Sequence, residues 1–162
     1  MTGESNPMFG KSPPKSSGSG IKGWYYHQFF RSLRELSYMI FLDKSGKRWE
    51  TAESSKFRIH YINPNTSKPA TYVADFIVED KLLVECKPKN LQDTKINQAK
   101  SAAAEKFCKE NSLVYQIIDP ELISWEQLFQ LIDCSIVTLT ERTKRKLDNA
   151  NNDNLRRASR ER

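Results

Sequence analysis

The sequence predicts an α/β fold, a mixed sheet flanked by helices, on three observations. Phe57-Arg58-Ile59-His60-Tyr61-Ile62 alternates at period two, and two further apolar segments follow it, Tyr72-Val73-Ala74-Asp75-Phe76-Ile77-Val78 and Lys81-Leu82-Leu83-Val84-Glu85-Cys86-Lys87. Three strands in succession predict an antiparallel meander. Gln92 to Asn111 then carries Ile96, Ala99, Ala103, Phe107 and Cys108 toward one side of a helix. Ser112-Leu113-Val114-Tyr115-Gln116-Ile117-Ile118 supplies a further strand. Strand, helix and strand in that order form a crossover, which sets the last strand parallel to the one bearing Glu85.

The remaining elements follow in chain order. Residues 1–23 are rich in Gly, Ser, Pro and Lys with no apolar period, the composition of an arm or linker. From Trp24 to Leu42 the spacing of Phe29, Leu33, Leu36 and Ile40 predicts a helix with Glu35 at the border of its apolar face. Glu35 either presents a carboxylate inward or pairs on the surface with Arg31 or Arg34. Residues 43–56 are polar, and Asn63 to Pro69 is a turn or short loop. Glu121 to Asp133, with Trp125, Leu128, Phe129 and Ile132, predicts another helix; beyond Thr140 the chain is basic and Asn-rich, a tail expected to become helical on DNA. The domain organisation is therefore an arm over 1–23, a core over 24–140 and a basic tail over 141–162.

Charge and composition narrow the function classes. A chain of 162 residues holds one compact domain plus tails. It has neither an apolar run of spanning length nor an apolar signal region, so a soluble, cytoplasmic protein is expected. Cys86, Cys108 and Cys134 are odd in number and widely spaced, reading as reduced, mostly buried thiols. The net charge of +6 is uneven: Lys11, Lys15 and Lys22 outnumber Glu4 in the arm, and Arg142, Lys144, Arg145, Lys146 and four further arginines outnumber four acids in the tail. The core is then neutral. Basic ends on a neutral core suit arms that hold a polyanion beside a site located elsewhere, or simply solubilising ends.

The residues that carry chemistry sit at the end of the third strand. Alternate residues share a face, so Glu85 and Lys87 point the same way and Val84 and Cys86 the other. A hairpin turn at Asp80 brings Asp75 across from Glu85, giving two carboxylates and a lysine around one small space. Magnesium takes oxygen ligands and keeps several waters, so one or two carboxylates and a substrate phosphate complete its shell. Lys87 suits stabilising negative charge on the attacked phosphate. On spacing alone the same residues equally describe a hairpin with solvated charges and an ordinary salt bridge. His27 and His60 are too few and too far apart for a metal centre. Trp24-Tyr25-Tyr26 beside Lys22 suits either base stacking or apolar anchoring.

Asp75 followed by Glu85-Cys86-Lys87 resembles the D…ExK core of the PD-(D/E)xK nuclease superfamily, with Ala74 where that superfamily usually has proline. The resemblance runs from about Phe29 to Ile118, and its nearest forms are the TnsA-type transposase endonuclease and the phage Holliday-junction resolvases. It implies a restriction-endonuclease-like α/β/α core and a metal-dependent DNA endonuclease leaving 5′-phosphate and 3′-hydroxyl ends. Asp75, Glu85 and the Cys86 carbonyl would bind Mg2+, with Mn2+ substituting; Glu35 would support a second metal or the attacking water, Lys87 the developing charge, and Gln98 or Lys95 the scissile phosphate. Gly3-Glu4-Ser5-Asn6-Pro7-Met8-Phe9-Gly10-Lys11 resembles the nuclease-associated modular motif of homing endonucleases, which implies DNA contacts from Asn6, Met8 and Lys11, joined by Lys22 and by Arg142, Lys144, Arg145 and Lys146. Homing is thus the leading expectation, with a dimer for double-strand cleavage. A structure-selective resolvase, a TnsA-like cutting subunit, and a non-catalytic DNA-binding protein on a nuclease fold are the alternatives.

Overall fold

A computed structural model describes the backbone of residues 19–158 and the side chains of residues 20–149. Asn6, Met8 and Lys11 lie outside the described residues. The chain divides into two compact units, Met1–Ser37 with Leu122–Arg162, and Tyr38–Glu121. No described helix is long and apolar enough to cross a membrane.

In the first unit, β1 (Ser19–Tyr25) and β2 (Gln28–Ser32) form an antiparallel hairpin, and β9 (Val137–Leu139) pairs with the other edge of β1. One face of this sheet is buried through Ile21, Tyr25, Phe30, Val137 and Leu139. Gly23 lies on that face, where a Cβ would come within 2.3 Å of the Thr138 carbonyl oxygen, so the β1–β9 approach depends on the missing side chain. Helix α4 (Trp125–Asp133) starts from a full capping box between Ser124 and Gln127 and buries Leu128. Helix α5 (Glu141–Ala158) buries Thr143 and Leu147, and the Thr143 hydroxyl accepts the Lys22 N–H at 3.1 Å.

The helix expected from Trp24 therefore begins only at Leu33, as α1 (Leu33–Lys44). Two periods overlap in this stretch: Phe29, Leu33, Leu36 and Ile40 fit a helix, but the aromatic run Trp24 to Phe30 favours strand and finds a partner in β9, which prevails. The arm boundary expected at residue 23 falls inside β1, and the tail expected from residue 141 is helix α5.

The second unit holds the four-stranded sheet, in the order β3 (Trp49–Thr51), β6 (Phe76–Val78), β7 (Leu82–Cys86), β8 (Val114–Ile118). β3, β6 and β7 are antiparallel, and β8 is parallel to β7, as the crossover predicts. The fold is a mixed sheet with helices, consistent with a restriction-endonuclease-like α/β class. The β6–β7 hairpin turns at Glu79 and Asp80, both with left-handed φ (52° and 54°), and the Lys81 N–H donates to the Val78 carbonyl at 3.1 Å.

The continuous meander does not form. β4 (Ile59–Asn63) pairs with β5 (Lys68–Tyr72) as a separate two-stranded hairpin, and the chain leaves strand geometry at Val73, Ala74 and Asp75 before β6. The helix expected from Gln92 to Asn111 begins at Lys95, as α3 (Lys95–Glu110), after a separate short α2 (Lys89–Gln92), because Thr94 caps a fresh start by accepting from the Asn97 N–H. The core joins α3 (Ala104, Cys108), the hairpin (Ile59, Tyr72) and the sheet (Ile77, Leu83) with Ala52, Phe57 and Ala74. On the other sheet face Phe76 meets Tyr38 and Trp49 edge-on. Cys108 is buried and Cys86 half-buried as expected, whereas Cys134 is exposed.

Candidate active site

Glu85 is held at the end of β7, a strand whose other residues are apolar, so its carboxylate enters the structure surrounded by core. Its side chain is 11% exposed and that of Lys87 18%. The Lys87 ammonium donates to Glu85 Oε1 at 2.7 Å, which is the same-face pairing that strand alternation dictates. Lys87 also donates to Asn97 Oδ1 at 3.2 Å, and Asn97 is fixed in turn by donating Nδ2–H to the Leu91 carbonyl at 2.5 Å.

Glu85 Oε2 accepts from the Tyr72 hydroxyl at 2.9 Å, and that hydroxyl lies 3.0 Å from the hydroxyl of Tyr115. Burial pushes the Tyr72 phenol far above its ordinary value, and the neighbouring Glu85 charge adds to the shift. Tyr72 therefore stays protonated and directs its one proton to Glu85, so Tyr115 is the donor in the phenol pair. Burial pushes Tyr115 up to about 12 as well. The Lys100 ammonium stands 5.4 Å from the centre of the Tyr72 ring and 6.0 Å from that of Tyr61.

Asp75 occupies the break between β5 and β6. Its N–H donates to the Val84 carbonyl at 3.0 Å, and its Oδ2 accepts the Cys86 N–H at 2.8 Å. The side chain thus takes a position that a ladder carbonyl would fill, which ties Asp75 to both neighbours of Glu85 on β7. Two carboxylates and one ammonium leave a net charge of −1, made of hard oxygen donors. That set fits a divalent cation resting on Asp75, Glu85, water and a phosphate. Among the described residues no three His, Cys, Asp or Glu side chains converge as a metal group.

Glu35 belongs to the first unit and serves the start of α1. Its Oε1 accepts from the Ser32 hydroxyl and its Oε2 from the Arg31 N–H, both at 2.9 Å, while the Ser32 hydroxyl accepts the Glu35 N–H at 3.2 Å. This is a capping-box arrangement shifted by one residue. Glu35→Ala is expected to cost about 1 kcal/mol of stability and Glu35→Gln less, because the amide oxygen still accepts. Thermal denaturation of the two variants checks it, and equal midpoints would remove the capping role.

Lys95 and Gln98 are exposed on α3, and their neighbour Asn97 is the one that reaches Lys87. Tyr72, Tyr115 and Asn97 were not singled out from sequence. A signal existed for Asn97: counting back from Cys108 along the buried line through Ala104 and Ser101 lands on it. Lys22, Arg142, Lys144, Arg145 and Lys146 are exposed in the first unit, Lys144 paired with Glu141 at 2.7 Å.

Residues 43–120 match the family described as TnsA-like endonuclease N terminal, a stretch that spans β3 to β8 and contains Asp75, Glu85 and Lys87. Searches of curated proteins and of solved structures found no match. Residues 43–120 are thus similar to a TnsA-like endonuclease N-terminal domain, in keeping with the resemblance to the PD-(D/E)xK restriction-endonuclease-like nucleases.

Proposed function

We propose that this chain is a divalent-metal-dependent DNA endonuclease of the TnsA type, the strand-cutting subunit of a transposition system. The observation that carries the reading is the joining of Asp75, Glu85 and Lys87 at one end of β7 within the matched stretch. Asp75 and Glu85 would hold Mg2+, with the Cys86 carbonyl as a further ligand. When bound, the ion supplies an activated water and neutralises charge on the attacked phosphate. Lys87, held by Glu85 and Asn97, presents a compact positive charge toward the same phosphate. Tyr72 keeps Glu85 aimed by donating to its Oε2.

A module without chemistry gains nothing from two carboxylates at a DNA-facing place, since they repel phosphate; this weighs against a non-catalytic protein. The homing reading rests on Gly3 to Lys11 alone, a segment outside the matched residues, and ranks below the TnsA-like one. A structure-selective resolvase remains the second enzymatic reading, because the same D…ExK residues serve it.

The test incubates the chain with supercoiled plasmid, linear duplex and a four-way junction, each with Mg2+ or with chelator. Metal-dependent cutting of duplex or plasmid is expected, with 5′-phosphate and 3′-hydroxyl ends. Exclusive cutting of the junction moves the assignment to the resolvase, and binding without cutting on any substrate removes the nuclease reading. Lys87→Ala should lose cleavage by roughly a hundredfold or more while Mg2+ affinity by calorimetry is kept. Loss of the metal in that variant would make Lys87 a structural partner of Glu85.

A further inference from the structure

The β2-β1-β9 sheet of the first unit has two unlike faces. Ile21, Gly23, Tyr25, Phe30, Val137 and Leu139 are packed on the inner one. The cross-strand register Trp24↔Phe29 and Trp24↔Thr138 puts those three residues together on the outer face, and alternation adds Lys22 and Arg31. Trp24 is 40% exposed, although a tryptophan is among the most costly side chains to leave in water. Its ring is 5.3 Å from that of Phe29, tilted by 57°, and the Arg31 guanidinium lies 5.9 Å from the Phe29 centroid. None of the described outer-face positions on these strands is acidic.

We propose that this face binds an unpaired DNA strand, bases on Trp24 and Phe29 and phosphates on Lys22 and Arg31. Aromatic side chains accept the π-face of any base, and flanking cations track the backbone, so the chemistry is that of a stacking platform with little sequence preference. A duplex hides its base faces and would meet only the cations. An apolar protein partner would gain from Trp24 and Phe29 but would have to take Lys22 and Arg31 out of water with them, and desolvating two cations is costly. The choice of DNA rests on the proposed nuclease reading, whereas the stacking does not; RNA is therefore one arm of the test.

Full-length Asp75→Asn protein, unable to cut under the proposed function, is titrated with fluorescent oligo(dT), oligo(rU) and a duplex of equal length. Oligo(dT) is expected to bind more tightly than duplex and to quench tryptophan fluorescence. Trp24→Ala should weaken oligo(dT) binding by about tenfold to a hundredfold, and Trp24→Phe should retain most of the affinity. Trp24→Leu, apolar but without a π-face, should behave as Trp24→Ala, and because this side chain is partly exposed it keeps the test open if the alanine variant fails to fold. Joint replacement of Lys22 and Arg31 by alanine should lower the salt slope by about 1.4 for two phosphate contacts on a single strand. Tighter binding of oligo(rU) than oligo(dT) overturns the choice of DNA. Equal affinity of wild type and Trp24→Ala for oligo(dT), or a Trp24→Leu variant that binds as wild type, overturns the platform. So does concentration-dependent self-association that Trp24→Ala abolishes while strand binding is unchanged. Cutting activity of the parent protein is read separately, so a failed nuclease assay leaves the binding result interpretable.

Discussion

Glu85→Gln and Asp75→Asn should each reduce DNA cleavage by about a thousandfold or more while leaving the fold intact. Both substitutions keep the shape and an accepting oxygen: in Glu85→Gln the new amide oxygen can still take the proton of Tyr72 or Lys87, and in Asp75→Asn it can still take the Cys86 N–H. What each removes is one of the two negative charges on which a divalent ion would rest, and metal-assisted hydrolysis fails when the ion is not held. Mg2+ affinity by calorimetry should fall in parallel. DNA affinity should stay level or rise, since one phosphate-repelling charge is gone. Glu85→Ala is the poorer probe, because it strands the Tyr72 hydroxyl and the Lys87 ammonium in a mostly buried place and so confounds chemistry with a stability loss of a few kcal/mol. Wild-type cutting rates in either isosteric variant would remove the site assignment.

Gly23→Ala should be the most destabilising single methyl addition among the described glycines, by about 3 kcal/mol or more. The added Cβ would stand 2.3 Å from the Thr138 carbonyl oxygen and 3.0 Å from both Leu139 Cα and Phe30 Cζ. Two of these three atoms are backbone on β9, so relief requires that β9 move away from β1 and give up its pairing. Gly46→Ala is the control. Gly46 has left-handed φ (64°) at the end of α1 and nothing within 4 Å of its Cβ position, so only the conformational cost of about 1 kcal/mol applies. For a chain of this size each kcal/mol shifts the melting midpoint by roughly 2–4 °C, so the two variants should separate by several degrees. Hydrogen exchange should show β1 and β9 amides opening in Gly23→Ala. Equal midpoints for the two variants would contradict the β1–β9 register.

The candidate site is partly legible in the sequence. Glu85 and Lys87 meet because residues two apart on a strand share a face, a local rule that no tertiary context alters, and the D…ExK pattern was visible in the same residues. The parallel β7–β8 pairing followed from strand, helix, strand order. Other parts were hidden by competing periods. The aromatic run around Trp24 fitted both a helical and a two-residue spacing, and β9, more than a hundred residues away in sequence, decided for strand. In α3 the inner face read through Ile96, Ala99, Ala103, Phe107 and Cys108 holds for buried Cys108 and for Ala103 and Phe107, which pack partly buried against the core, but it passes over Ala104, the most buried residue of the helix.

The sequence by itself determined the class of fold, the crossover, and the pairing of a carboxylate with a lysine at a strand end, all consequences of backbone period and connection order. Tertiary structure alone decided who holds them. Tyr72 reaches Glu85 from a hairpin that leaves the sheet, Tyr115 reaches Tyr72 from the far side of the crossover, and Asn97 reaches Lys87 from a helix that restarts at Thr94. Those contacts depend on where separate elements pack, and packing is set by the summed burial of Ile59, Tyr72, Leu83, Ala104 and Cys108 rather than by any local pattern.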